Sequence, residues 1–332
     1  MSGPERIEAV QDKPSTGRRA IHVIGAILVV VVVPVMLMDA LVGSFGADAM
    51  LVGLLYGVLG AKLGGTRRML YLAPLVGVAA GLGAFTAYDW WWVLVLAISG
   101  VVAGAGMRWG WLPPMLMIPF AATFATPVTS GRHAAAYGVI AGIATLYGVV
   151  LARRFKAPDI VEGQRVSPGL AVMVAIVFGA VLAASSAIGV ALGWSEPYWV
   201  PEPILILVVY VILGRRERIQ EKAIGTALGA AAAVPVAIAS PPQWVIAVLA
   251  AAAFVLALMA YKKSYGTYYG LYTFAFVLAL SSPGSVGSEA AHRGSEILIG
   301  IGLLAVGLAL LHALSTWMAG RAPEPLLAER TG

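Results

Sequence analysis

Arg154-Phe-Lys-Ala-Pro-Asp-Ile-Val-Glu-Gly-Gln-Arg-Val-Ser167 is the longest polar interruption in a chain that is otherwise close to continuously apolar. Outward from it, apolar runs lie at roughly 20–40, 47–64, 68–87, 90–107, 110–127 and 133–153 on one side. On the other they lie at 168–192, 198–214, 222–239, 243–261, 264–282 and 291–318. A spanning helix needs about 20 mostly apolar residues, so these about twelve runs are read as transmembrane helices. The second, fifth and eighth are short, and prolines in the fifth and eighth mark them as tilted, broken or partly unwound. The charge pattern then orients the chain. Of its 22 Lys and Arg, 20 fall in alternate gaps and tails, leaving Arg132 and Arg293 on the opposite side. By the positive-inside rule both ends are cytoplasmic.

Composition agrees. Of 332 residues, 60% are hydrophobic and 11% charged, and the mean hydropathy is +0.88; a soluble domain holds about 25% charged residues. The net charge of +6 resides in short cytoplasmic turns, where it fixes orientation and meets anionic lipid rather than nucleic acid. The chain has no cysteine, which excludes disulfides, thiolate metal sites and thiol nucleophiles. A polar start followed by a long apolar run predicts a retained first helix rather than a cleaved signal peptide.

The resulting division is a cytoplasmic tail (1–19), a six-helix unit (20–153), a cytoplasmic linker (154–167), a second six-helix unit (168–318) and a cytoplasmic tail (319–332). A constant offset of 154 residues pairs Asp48 with Glu202, Tyr56 with Tyr210, Trp90 with Trp244, Arg108 with Lys262, and Phe120-Ala121 with Phe274-Ala275. The expected fold is therefore an all-α polytopic membrane protein made of two parallel six-helix repeats.

The second half carries an ordered set of motifs: Tyr198-Trp199, the basic loop Arg215-Arg216-Glu217-Arg218, then Lys222 followed by Gly225-Thr226 and Gly229. Next come Tyr261-Lys262-Lys263-Ser264-Tyr265 and Arg293 before a glycine-bearing last helix. This order resembles the fusaric acid resistance and aromatic acid exporter group of bacterial inner-membrane proteins, with Lys222 where that group usually has arginine. The resemblance covers about 195–310. It implies export of small, often aromatic, carboxylates across the bacterial inner membrane, with no cofactor. Its six-helix unit also resembles plant anion channels of the malate-transporter type. The large cytoplasmic domain of many members is not seen in this sequence.

Candidate residues follow from cost in lipid. Asp48 and Glu202 stand near the outer ends of their helices; a carboxylate near lipid depth is expensive and marks a proton-coupling site, or else it complements a helix N-terminus. Arg132 and Arg293 suit carboxylate binding, with His133, Glu289, His292 and Glu296 as nearby titratable partners; alternatively Arg293 pairs along its own helix. Tyr272, the deepest of the stripe Tyr261, Tyr265, Tyr268, Tyr272, and Tyr198 are assigned to substrate stacking. The other tyrosines, and Trp90 to Trp92, are read as an interfacial belt. Lys222, Gly225, Thr226 and Gly229 are read as a helix-packing or hinge element. No nucleotide, phosphate-loop or metalloprotease motif is present, so no catalytic residue and no metal are assigned. The expectation is a proton-coupled exporter, as an antiporter, of small aromatic carboxylates, alone, as a homo-oligomer or with a partner subunit. A passive anion channel, an accessory subunit and a membrane-embedded enzyme are the alternatives.

Overall fold

The computed structural model describes residues 28–154, 165–194, 196–212, 217–239, 241–260, 264–280 and 286–319. The predicted tails, the start of the first run and most of the linker lie outside the described residues. Among them all regular structure is helical: α1 Val33–Val42, α2 Ser44–Gly64, α3 Thr66–Thr86, α4 Trp90–Ala105, α5 Leu112–Met115, α6 Met117–Thr123 and α7 Gly131–Arg154. After the linker come α8 Pro168–Ala191, α9 Pro201–Ile212, α10 Glu217–Ala239, α11 Gln243–Ala260, α12 Tyr265–Leu280 and α13 Val286–Ala319. In lipid the helix satisfies its own backbone, which is why such a composition folds this way.

Six helices among the described residues are long and apolar enough to cross a membrane: Ser44–Gly64, Thr66–Thr86, Trp90–Trp109, Gly131–Arg154, Pro168–Ala191 and Gly294–Trp317. Three of the remaining predicted runs fall short for identifiable reasons. The fifth is split at Leu116 into α5 and α6, because Pro119 has no N–H to give the Met115 carbonyl. The eighth is shortened to α9, which begins only after the 3₁₀ turn Pro197–Trp199; Pro201 and Pro203 sit in its first turn, where the missing N–H groups cost nothing. In α10 the first six residues include Glu217, Arg218, Glu221 and Lys222, so its apolar part starts late.

Helix directions follow from small-residue contacts. On α2 and α7, Gly53 packs on Ala141 and Ala144 while Gly57 packs on Thr145 and Gly148, so the two run parallel. On α3 and α7, Gly77 meets Gly138 and Gly142 while Gly81 meets Ala134, so these run antiparallel. The halves join where Gly100 and Gly104 of α4 lie on Gly179 and Ala175 of α8. In the second half Gly225 and Gly229 of α10 lie on the backbone of Gly266 and Gly270 of α12, again parallel. The chain between them, α11, therefore runs back the other way.

The main core draws on both halves, from Tyr56, Met69, Trp92, Met117 and Tyr137 to Leu182, Ile204, Leu205 and Ile301. A smaller cluster of Ala233, Ile246, Ala250, Val277 and Leu278 joins α10, α11 and α12. Large apolar side chains cover the outside, among them Val78, Ile98, Val139, Ile176, Ile238 and Val248. Water makes such a surface an association hazard; hydrocarbon does not.

Candidate functional site

Among the described residues the buried charged side chains are Lys222 on α10, Glu202 on α9 and Glu296 on α13, and the first two meet. Lys222 lies more than one turn inside α10 and is fully buried, and Glu202, in the first turn of α9, is 6% exposed. The Lys222 Nζ donates to both carboxylate oxygens of Glu202, at 3.1 and 2.9 Å. The ammonium also stands 4.5 Å from the centre of the Tyr269 ring on α12, so an aromatic face meets the cation on another side. One turn further along α10 on the same face, the Thr226 hydroxyl is buried and has no hydrogen-bond partner among the described residues. Two ions removed from water repay their desolvation only in good geometry, and such a pair rarely adds stability. Its retention in an apolar bundle points to function.

This placement corrects the sequence reading in two respects. Lys222 is not one of the loop charges that orient the chain; it is inside the bundle, and it is the partner of Glu202. Tyr265 and Tyr269 are not a lipid-facing belt, since both are buried at 3% and 6% exposure. Trp90 and Trp91 are exposed as a belt requires, whereas Trp92 is buried and donates its indole N–H to the Ala122 carbonyl at 3.0 Å.

Beside the pair runs a ladder of rings. Tyr265 and Tyr269 are 4.8 Å apart between centroids, Tyr269 and Tyr272 6.1 Å, and Tyr272 and Phe276 4.6 Å. Phe276 then meets Trp199 edge-on at 5.4 Å, Trp199 adjoins Tyr198 at 5.3 Å, and Tyr198 reaches Phe124 and Tyr88 of the first half at 5.7 and 6.1 Å. The first four rungs follow from helical spacing on α12; the crossing to α9 follows from the 3₁₀ turn that carries Tyr198-Trp199. The Tyr198 hydroxyl and the Trp199 indole N–H both donate to Glu196, at 2.9 and 2.8 Å. A cavity of about 370 Å³ ends the ladder, lined by Tyr88, Phe124, Ala125, Thr126, Pro127, Glu196 and Tyr198.

The other candidates lie apart from this centre. Asp48, half-buried, accepts a hydrogen bond from the Thr126 hydroxyl at 3.1 Å, which places it near that cavity. Arg132 and His133 are exposed at the start of α7, where His133 adjoins the Phe45 ring. His292 is exposed on α13 and Glu296 is buried there at 2% exposure. The side chains of Arg293 and Glu289 lie outside the described residues. Gly225 and Gly229 leave no room for a Cβ against α12, which is the close helix contact expected of them. Among the described residues no cluster of His, Asp or Glu has metal-site geometry. Sequence reasoning missed Trp199, Phe276 and Glu196 as members of a site; the Tyr-Trp pair next to two prolines was the signal that an unwound, aromatic turn lay there.

Residues 182–307 match the family model of fusaric acid resistance protein-like proteins. No curated protein and no solved structure matches the chain. The matched segment includes Glu202, Lys222, Tyr198, Tyr269, Tyr272 and Phe276. With its apolar helices, the match supports a multi-pass membrane protein.

Proposed function

We propose that this chain, whose residues 182–307 belong with the fusaric acid resistance protein-like proteins, exports small aromatic carboxylates across a bacterial inner membrane and couples that export to protons. The observation that carries the reading is the buried Lys222–Glu202 pair set against the ring ladder. A cation at depth offers the carboxylate a partner, the rings offer its aromatic part a stacking face, and Glu202 offers a proton acceptor. Tyr272 and Tyr198 line the path, and the cavity at Tyr198 and Thr126 is its outer mouth. Asp48 and Glu296 are further proton acceptors, with His292; Arg132 and Arg293 draw anions to the outer face. Both termini are cytoplasmic, and two parallel six-helix repeats rock against each other. The order of α2 to α7 and of α9 to α13 at the 154-residue offset supports that arrangement.

The test is flux of labelled benzoate in sealed proteoliposomes, with protein-free vesicles giving the unaided leak. Flux above the leak that responds to an imposed pH gradient, and that Tyr272→Leu shifts from benzoate toward an aliphatic carboxylate, supports the proposal. Flux that follows only benzoate's own electrochemical gradient points to a channel. No flux above the leak points to an accessory subunit.

A further inference from the structure

In the structure Lys222 and Glu202 neutralise each other inside the bundle, at 2.9 Å and closed to solvent. A substrate carboxylate that reached Lys222 while Glu202 stayed ionised would leave two negative charges on one positive charge in a low-dielectric site. Among the described residues no second cation stands beside the pair to balance that excess, and its cost is the large one attached to uncompensated buried ions. If Glu202 accepts a proton as the anion arrives, the site stays neutral: one ammonium, one bound carboxylate, one carboxylic acid. We infer that an anion enters by displacing Glu202 from Lys222, and that one proton binds Glu202 with each anion. Proton and carboxylate are then carried together in the same direction.

This sense is opposite to the antiport expected from the sequence, and an inward proton gradient would then draw the carboxylate inward. The inference rests on the carboxylate-binding part of the proposed function and not on its export direction. The groups around the pair fit it. Among the described residues, the ionisable groups beside Glu202 are Lys222 on α10 and Tyr269 and Tyr272 on α12, with Glu296 buried on α13. The tyrosines are neutral hydroxyls and supply no second positive charge to balance an incoming anion. The unpartnered Thr226 hydroxyl, one turn from Lys222, provides a donor for the carboxylate oxygen that the ammonium leaves free. Protonated Glu202 in turn becomes a donor itself. The balance is simple: a proton leaves water for the Glu202 oxygen, and the Lys222–carboxylate contact is exchanged from Glu202 to substrate with no covalent bond made or broken.

Calorimetric titration of the detergent-purified protein with benzoate, in phosphate and in Tris buffer, reads the protons taken up per anion from the difference in heat. About one proton taken up per benzoate is expected at neutral pH. Affinity should then tighten roughly tenfold for each unit fall in pH while Glu202 is ionised. Glu202→Gln, which cannot titrate, should bind benzoate with no proton uptake and no such slope. Should that variant not fold, the wild-type proton count decides alone. Binding with no proton taken up, or with a proton released, overturns the inference and leaves the transporter reading standing. No binding of benzoate or of any other small carboxylate overturns both.

Discussion

Asp48 and Arg68 stand 154 positions before Glu202 and Lys222, an acid and a base in each half, yet only the second pair meets. Arg68 donates to the Gly110 carbonyl at 2.9 Å and lies over the Trp111 ring, while Asp48 takes its hydrogen bond from Thr126. Packing explains the difference. Arg68 sits at the start of α3 and is taken up by the Gly110 carbonyl and the Trp111 ring, whereas Lys222 is fully buried between Glu202 of α9 and the Tyr269 ring of α12. The lesson is that equivalent residues at a fixed sequence offset become a site only where tertiary packing turns them toward each other.

The contrast can be broken by removing the bases. Lys222→Met should reduce benzoate flux about 100-fold or more, the scale of truncating a buried charged partner. Arg68→Met should leave flux within about twofold, because its contacts lie at the end of α3. Equal losses in the proteoliposome assay would erase the distinction between the halves.

Removing the acids sharpens it in stability. Glu202→Gln strands the buried ammonium and should destabilise the protein by about 3–5 kcal/mol. The double variant Glu202→Gln/Lys222→Met should recover most of that loss. Asp48→Asn keeps a hydrogen-bonding group opposite Thr126 and should cost about 1 kcal/mol. Thermal unfolding in detergent gives all three, and a double variant no more stable than the single one would argue against the ion pair.

The smallest effects test the helix seams. Gly229→Ala drives a methyl into the Gly270 backbone and should cost about 1–3 kcal/mol. Gly142→Ala on the first-half seam finds its nearest neighbour at 3.6 Å, an ordinary contact, and should change stability by about 0.5 kcal/mol or less. The same unfolding assay separates them.

Much of the architecture was legible in the residues. Apolar runs and their polar interruptions located the helices, and prolines marked the broken fifth run and the shortened eighth. Lys222 and Glu202 were each singled out, but for separate roles, and their pairing was not. Charge counting assigns every lysine near a loop to the membrane surface, and the burial of Lys222 depends on how α10 packs against α9 and α12, which no composition rule gives. The tyrosine stripe looked like an interfacial belt because spacing along α12 does not say which face packs against α10. Trp199 and Phe276 were invisible as neighbours for the same reason: their contact depends on how the 3₁₀ turn before α9 meets α12, a property of tertiary packing.

The closeness of Lys222 to Glu202 has a consequence for voltage. Moving one elementary charge through 100 mV takes about 2.3 kcal/mol, so any carrier with a bare ion at its centre is pulled by the resting potential at every turnover. Here ammonium and carboxylate are held 2.9 Å apart, and the field acts on a short dipole with no net charge. A core of that kind changes conformation at nearly the same rate in an energised membrane as in a depolarised one.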